Sequence, residues 1–322
     1  MTNLLEIHSA AKNLKNQLKQ AIFGQDDVLD KIIVTILCGG HALVTGAPGL
    51  AKTTIVKALA CSLNCEYKRI QFTPDLTPFD ILGGDTIEFD AKNPDIKRIV
   101  FAPGPLFSQF ILADEINRAS PRTQSALLEA MQERQISVGG VSKKLPDSFF
   151  VFATQNPIEN EGTFPLPEAQ LDRFLLNIEI DYPDLESEVK IAMLPQNTTP
   201  FSTIENFSIL LEARKQIESM FIDEKLIYAI VRIVRNTRPE ESKLSIAKNY
   251  FEYGASPRAS QSLLMASKAF AVLQGAQEVS FTHIKAMAAC VLKHRCIVNY
   301  KCMSENKNVL DIIKQIVEET IL

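Results

Sequence analysis

Gly46-Ala47-Pro48-Gly49-Leu50-Ala51-Lys52-Thr53-Thr54 joins a short apolar run, Ala42-Leu43-Val44, to a stretch whose Ile55, Val56, Leu59 and Leu63 recur at helical spacing. Strand, glycine-bearing turn, Lys-Thr pair and helix is the order in which a phosphate-binding loop is built. Turn amides then face phosphate oxygens, and the helix offers its positive end. In such a loop Lys52 reaches the β- and γ-phosphates and the Thr53 hydroxyl holds Mg²⁺. Ala51 stands where glycine usually precedes the lysine. Alanine closes the loop if it already lies in the first helical turn. A position demanding positive φ would not suit it. A plain Gly/Pro turn ahead of an ordinary helix is the competing description.

A second cluster ends the apolar run Phe110-Ile111-Leu112-Ala113 with two acids, Asp114 and Glu115. Carboxylates at the end of a central strand sit at the crevice where α/β sheets bind ligands. Two adjacent side chains there can diverge, one toward Mg²⁺ and one toward an attacking water. Another apolar run, 148–154, closes in Gln155-Asn156-Pro157, and the Asn156 amide would stand beside the acids if the two strands are neighbours. Leu171-Asp172-Arg173-Phe174 precedes a further strand, Leu175–Ile180.

These groups need a scaffold. Residues 2–22 read as an amphipathic helix with Leu4, Leu5, Ala11, Leu14, Leu18 and Ile22 on one side. Phe23-Gly24-Gln25 breaks it, and Val28–Cys38 resumes as a helix feeding the strand at Ala42. Gln25 therefore lies near the phosphate loop, as part of an adenine pocket or of a plain interhelix turn. Glu66–Phe72 reads as a second strand. Residues 87–100 form a hairpin around Lys92-Asn93-Pro94-Asp95, ended by residues 101–105, and 135–146 a second around Gly139-Gly140. Ser120–Arg134 is helical. Five strands interleaved with helices predict a parallel α/β sheet. From about Tyr182 the pattern is helical: Ile209–Met220, Glu224–Asn236, Arg258–Leu273, Thr282–Tyr300 and Val309–Ile321. Pro195–Thr203 and Pro239–Ala255 are irregular. This predicts a nucleotide-binding core over 1–195 and a smaller all-α domain over 196–322.

At 322 residues the chain accommodates two domains. Hydrophobic content of 46% and charged content of 22% are ordinary for a globular protein. The net charge of −4 lacks the basic footprint of a nucleic-acid binder, which disfavours a DNA or RNA motor. Apolar runs are too short to cross a bilayer, and the N-terminus has no secretory pattern. Cys290, His294 and Cys296 share a neighbourhood without a second ligand pair, so reduced thiols in a cytoplasmic protein are the expectation.

Gly46-Ala-Pro-Gly-Leu-Ala-Lys-Thr53, Leu112-Ala-Asp-Glu-Ile-Asn-Arg-Ala-Ser-Pro121, Ala153-Thr-Gln-Asn-Pro157, Leu166-Pro-Glu-Ala-Gln-Leu-Asp-Arg-Phe174 and Ser256-Pro-Arg-Ala259 resemble the AAA+ ATPases, and within them the MoxR family. The resemblance spans nearly the whole chain. It implies Walker A roles for Lys52 and Thr53, Walker B for Asp114 and Glu115, sensor 1 for Asn156, the arginine finger for Arg173 and sensor 2 for Arg258. It also implies that the hairpins are the insertions of the helix-2-insert branch, facing a central pore. Catalysis of γ-phosphate loss is mostly positioning and electrostatics. Glu115 with Asn156 would handle the water, and Arg173 would act on a neighbouring subunit's nucleotide. Asn117 and Arg118 would contact the adjacent subunit or cap the Ser120 helix. The family implies ATP, Mg²⁺, a ring (expected hexameric), protein clients and a von Willebrand factor A-domain partner. A nucleotide-gated scaffold with incidental hydrolysis is the alternative.

Overall fold

The computed structural model describes residues 3–89, 97–156, 162–193, 201–205 and 207–321. The expected turn at residues 92–95, Pro157 and residues 195–200 of the expected loop lie outside them. Eleven strands occur in the described residues: β1 Ala42–Gly46, β2 Tyr67–Gln71, β3 Gly83–Phe89, β4 Lys97–Pro103, β5 Phe110–Asp114, β6 Gln135–Val138, β7 Val141–Lys144, β8 Phe150–Gln155, β9 Leu176–Ile180, β10 Phe251–Tyr253 and β11 Ile297–Val298.

Five of them make the central sheet in the order β2-β5-β8-β1-β9, every pair parallel. β5 is buried along its whole length and β8 along all but its last residue, as continuous apolar runs covered on both faces require. β1 enters between β8 and β9, neither of which is its neighbour in the chain, so its carboxyl end opens on a crevice. The last residue of β1 is a glycine, Gly46, at which a Cβ would come within 2.5 Å of the Ile180 carbonyl oxygen. Just before β1, the buried His41 ties two elements together. Its Nδ1 accepts from the Val151 N–H (3.0 Å) on β8, and its Nε2 lies 3.3 Å from the Met131 carbonyl on the helix Pro121–Glu133. Burial pushes its pKa down to about 3, so the ring is neutral.

Two antiparallel hairpins, β3–β4 and β6–β7, project from this sheet. Gly139 and Gly140 both take positive φ, 58° and 79°, the requirement of a two-residue primed turn. The hairpins touch through Lys143, whose Nζ lies 4.3 Å above the Phe101 ring. The first hairpin starts at Gly83, earlier than the alternation suggested, after a short helix Pro78–Leu82, and β4 runs on to Pro103.

The C-terminal part is helical, with differences from the pattern. The stretch expected as one helix over 209–220 is broken into Phe207–Leu211 and Ala213–Glu218. The helix expected to reach Tyr300 stops at Leu292, followed by a 3₁₀ turn Lys293–Arg295, β11 and a helix Tyr300–Ser304. The break turns His294 and Arg295 toward the sheet, where both find partners. β11 pairs with β10 inside the supposedly irregular 239–255, which also holds a helix Ser245–Tyr250. The first helix runs Leu4–Leu18 and buries Ile7, Ala10, Ala11, Leu14 and Leu18. Leu5 is 55% exposed, because two positions from Ile7 is about 200° around the helix. One apolar cluster links this helix through Ala42, Phe152 and Ile178 to Leu263, Ile284 and Ile313 of the helical part; a second, around Phe72, Ile111 and Val151, fills the other face of the sheet. No helix of the described residues is long and apolar enough to cross a membrane.

Candidate nucleotide-binding site

The loop after β1 closes in a way alanine was not expected to allow. Ala51 is the residue before the helix Lys52–Ser62 and sits in the left-handed region, φ 52° and ψ 15°. An L-residue there costs about 1–2 kcal/mol. Ala51 is therefore not part of the first helical turn, and the loop carries the strain. Gly49 supplies a second positive φ, 83°. Lys52 Nζ donates to the Gly46 carbonyl at 2.7 Å, reaching back across the loop. Its pKa is lowered by burial, against which the nearby Asp114 and Glu115 carboxylates pull upward.

A cavity of about 430 Å³ adjoins the loop, lined by Pro48, Gly49, Leu50, Ala51 and Thr54 on one side and Ile22, Phe23, Gln25, Tyr182 and Ile191 on the other. Apolar walls against a polar, amide-bearing loop suit a flat base with an anionic tail. Gln25 Nε2 donates to the Asp181 carbonyl at 2.8 Å and ties this turn to the end of β9. The turn at residues 23–25 thus shares a cavity with the phosphate loop.

The two acids diverge. Asp114 Oδ2 accepts from Arg69 Nε (2.9 Å) and Nη2 (2.7 Å), and Oδ1 from the Thr154 hydroxyl (2.6 Å). Glu115 has a left-handed backbone, φ 56° and ψ 50°. Its N–H donates to Thr154 Oγ1 (2.8 Å), and its Oε2 accepts from Gln71 Nε2 (2.9 Å) and pairs with Arg118 Nε (3.0 Å). Non-glycine residues in this region cluster where structure over-determines them, as at functional sites. Asn156 is buried just past β8, the neighbour of β5, so it lies at the same end of the sheet as the acids. Asn117 is also buried, and its side-chain oxygen has no hydrogen-bond partner among the described residues. Ser120 caps its own helix by accepting from Thr123 N–H, so that task does not fall to Asn117.

Arg69, Gln71 and Thr154 were not singled out from the sequence. Arg69 and Gln71 alternate on β2 and so share a face, and Gln71 is in register with Asp114. Polar side chains at alternate positions of an otherwise short strand were the available signal. The donor set fits Mg²⁺: the Thr53 hydroxyl and the Asp114 carboxylate are hard oxygens. Asp114 already attracts a cation, the Arg69 guanidinium.

Arg173 and Arg258 lie elsewhere. Arg173 follows the helix Glu168–Leu171 and precedes β9, whose other end, Ile180, is in register with Gly46. At about 3.3 Å per residue, that puts Arg173 on the order of 20 Å from the phosphate loop. It lines a separate hollow of about 240 Å³ with Arg258, Met131, Gln132 and Gln261. Lys52, Thr53, Asp114, Glu115, Asn156 and Gln25 are thus gathered at one end of the sheet, and the two arginines at the other.

Residues 41–176 match the model of the ATPase family associated with various cellular activities, and 243–316 match an AAA lid domain. The chain is 37% identical to Chaperone MoxR1 of Mycobacterium tuberculosis, over 98% of this chain and 83% of that protein. It is 36% identical to the uncharacterized protein YeaC of Bacillus subtilis, over 97% and 94% of the two chains. A crystal structure of a provisional ATPase from Cytophaga hutchinsonii superposes with a TM-score of 0.88 at 38% identity, covering 98% of this chain and 95% of that one. With the strand order of the sheet and these matches over nearly the whole chain, this chain belongs to the MoxR family of AAA+ ATPases.

Proposed function

We propose that the protein hydrolyses ATP in a ring in which each nucleotide is gripped by one protomer and completed by Arg173 of the next. The placement of Arg173 at the opposite end of β9 from Gly46 carries this reading. A guanidinium that far along the sheet does not serve its own protomer's phosphates, whereas a head-to-tail contact delivers it to a neighbour's. Arg258 shares its hollow and would serve the same neighbouring nucleotide.

Loop amides and Lys52 would hold the phosphates once Lys52 leaves the Gly46 carbonyl, and the cavity at Ile22 and Tyr182 would take the base. Thr53 and Asp114 would hold Mg²⁺, with Arg69 yielding its place on the carboxylate. Mg²⁺ held there would supply positive charge to offset the charge that develops on the phosphates. Glu115 would take the proton of the attacking water after exchanging Gln71 and Arg118 for it, and Asn156 would orient that water. Arg173 would stabilise charge on the equatorial oxygens, a contribution of about 10³–10⁵ in rate in other nucleotide hydrolases.

The same reading assigns 1–195 to the core and 196–322 to the lid, makes the ring hexameric and cytoplasmic, and turns the paired hairpins toward its pore. The output is remodelling of protein clients, with a von Willebrand factor A-domain partner. Its support is the similarity to a protein named as a chaperone. Phosphate release and fluorescent-nucleotide binding test the chemistry on Glu115→Gln and Arg173→Ala. Both variants are expected to bind ATP and to lose about 10²-fold or more in turnover. Wild-type turnover by Glu115→Gln would remove Glu115 as the base, and wild-type turnover by Arg173→Ala would remove the trans arginine. A client assay on Glu115→Gln separates a remodeller, which fails, from a scaffold, which works when locked with ATP.

A further inference from the structure

Three consecutive residues of the lid, Lys293-His294-Arg295, bind the stretch from Asp172 to the end of β9, the last two of them at the residues next to Arg173. Lys293 pairs with Glu179 on β9. His294 Nε2 donates to the Phe174 carbonyl at 3.0 Å. The Arg295 side chain is 2% exposed, and its Nε donates to Asp172 Oδ1 at 2.6 Å. Its Nη2 reaches the Phe174 carbonyl (2.6 Å) and Ser262 Oγ (3.2 Å), and Nη1 the Leu175 carbonyl (3.2 Å) and the Val291 carbonyl. The residues flanking Arg173 on both sides are thus pinned from the lid. The other oxygen of Asp172 accepts from Ser256 Oγ at 2.8 Å, and Ser256 is the N-cap of the helix Pro257–Leu273 that carries Arg258. One carboxylate therefore stands between the elements bearing both arginines of the hollow.

Stability is a poor explanation for this arrangement, because buried ion pairs are often matched or bettered by apolar side chains of similar volume. What a guanidinium fork adds is fixed geometry. From this we infer that Asp172 and Arg295 are positioning residues for Arg173: they couple the lid to the place at which Arg173 is presented. The inference rests on the reading of Arg173 as the arginine supplied to a neighbouring protomer.

Complementation in mixed rings tests it. Asp172→Asn and Arg295→Lys are expected to lower kcat about 10²-fold, the usual effect of a misplacement of about 1 Å, with fluorescent-ATP affinity unchanged. Each variant keeps a sound nucleotide site and presents a misplaced arginine; Glu115→Gln keeps a sound arginine and lacks the base. Reassembled together, they are expected to turn over faster than the sum of the two measured apart. A loss that mixing does not rescue, or no loss at all, overturns the inference. Arg173→Ala mixed with Glu115→Gln is the control: if that pair fails to complement, the trans reading of Arg173 falls instead. Should thermal unfolding show that Asp172→Asn and Arg295→Lys do not fold, Ser256→Ala carries the same test, deleting the bond to Asp172 and the cap bond from the Arg258 N–H but no charge.

Discussion

Thr154 shows how much one hydroxyl can hold at the acidic end of β5. It donates to Asp114 and accepts the N–H of Glu115, whose backbone is left-handed. Thr154→Val keeps the branched shape and leaves both groups unpaired in a buried place, a penalty of about 1–3 kcal/mol. Chemical denaturation should show that loss together with a fall in kcat, while Thr154→Ser should keep most of both. Ala51 offers the opposite case. Its φ of 52° favours glycine, so Ala51→Gly is expected to raise stability by up to about 1 kcal/mol once glycine's greater unfolded-state freedom is subtracted. A higher urea midpoint at unchanged slope would register it. Residues such as Lys52, Asp114 and Glu115 were legible because their neighbours in the chain build their surroundings. Arg69, Gln71 and Thr154 act through cross-strand register, which a linear pattern does not print.

At the scale of elements, His41 joins β8 to the helix Pro121–Glu133 while neutral. Its folded pKa, about 3, lies below the unfolded value of 6.5, so folding favours the unprotonated ring. The stabilisation is fully present above pH 6.5 and is lost as pH falls through that value toward 3. At pH 5 the loss from this group alone is about 2 kcal/mol. His294, also pushed well below its ordinary value by burial, adds to the same trend. Denaturation at pH 7 and pH 5 should show the drop, and His41→Gln should flatten it. The sheet, both hairpins and the long helix after Pro257 followed from periodicity and turn glycines. The helix expected over 282–300 did not hold, because apolar spacing continues through Leu292–Cys296 while the bonds of His294 and Arg295 to the sheet end the helix there. Leu5 was placed on the buried face for a similar reason: composition suggested it, and helical phase excluded it.

At the scale of the whole molecule, one of the two apolar clusters runs from the N-terminal helix through the sheet into the lid, so core and lid are neighbours in one interior rather than beads on a linker. What lies at the two ends of β9 then decides how copies depend on one another. On the proposed reading, a working site needs a sound loop from one copy and a sound Arg173 from the next, because the two lie at opposite ends of β9. A protomer disabled in both respects, carrying Lys52→Ala with Arg173→Ala, spoils its own site and the adjoining one. When such copies make up half of a randomly assembled ring, about one quarter of sites should remain active rather than one half, since head-to-tail contacts draw the two halves of each site independently. Titrating the defective copy into the wild type and fitting a squared, not linear, decline would read this out, and in a cell the same arithmetic makes such an allele dominant.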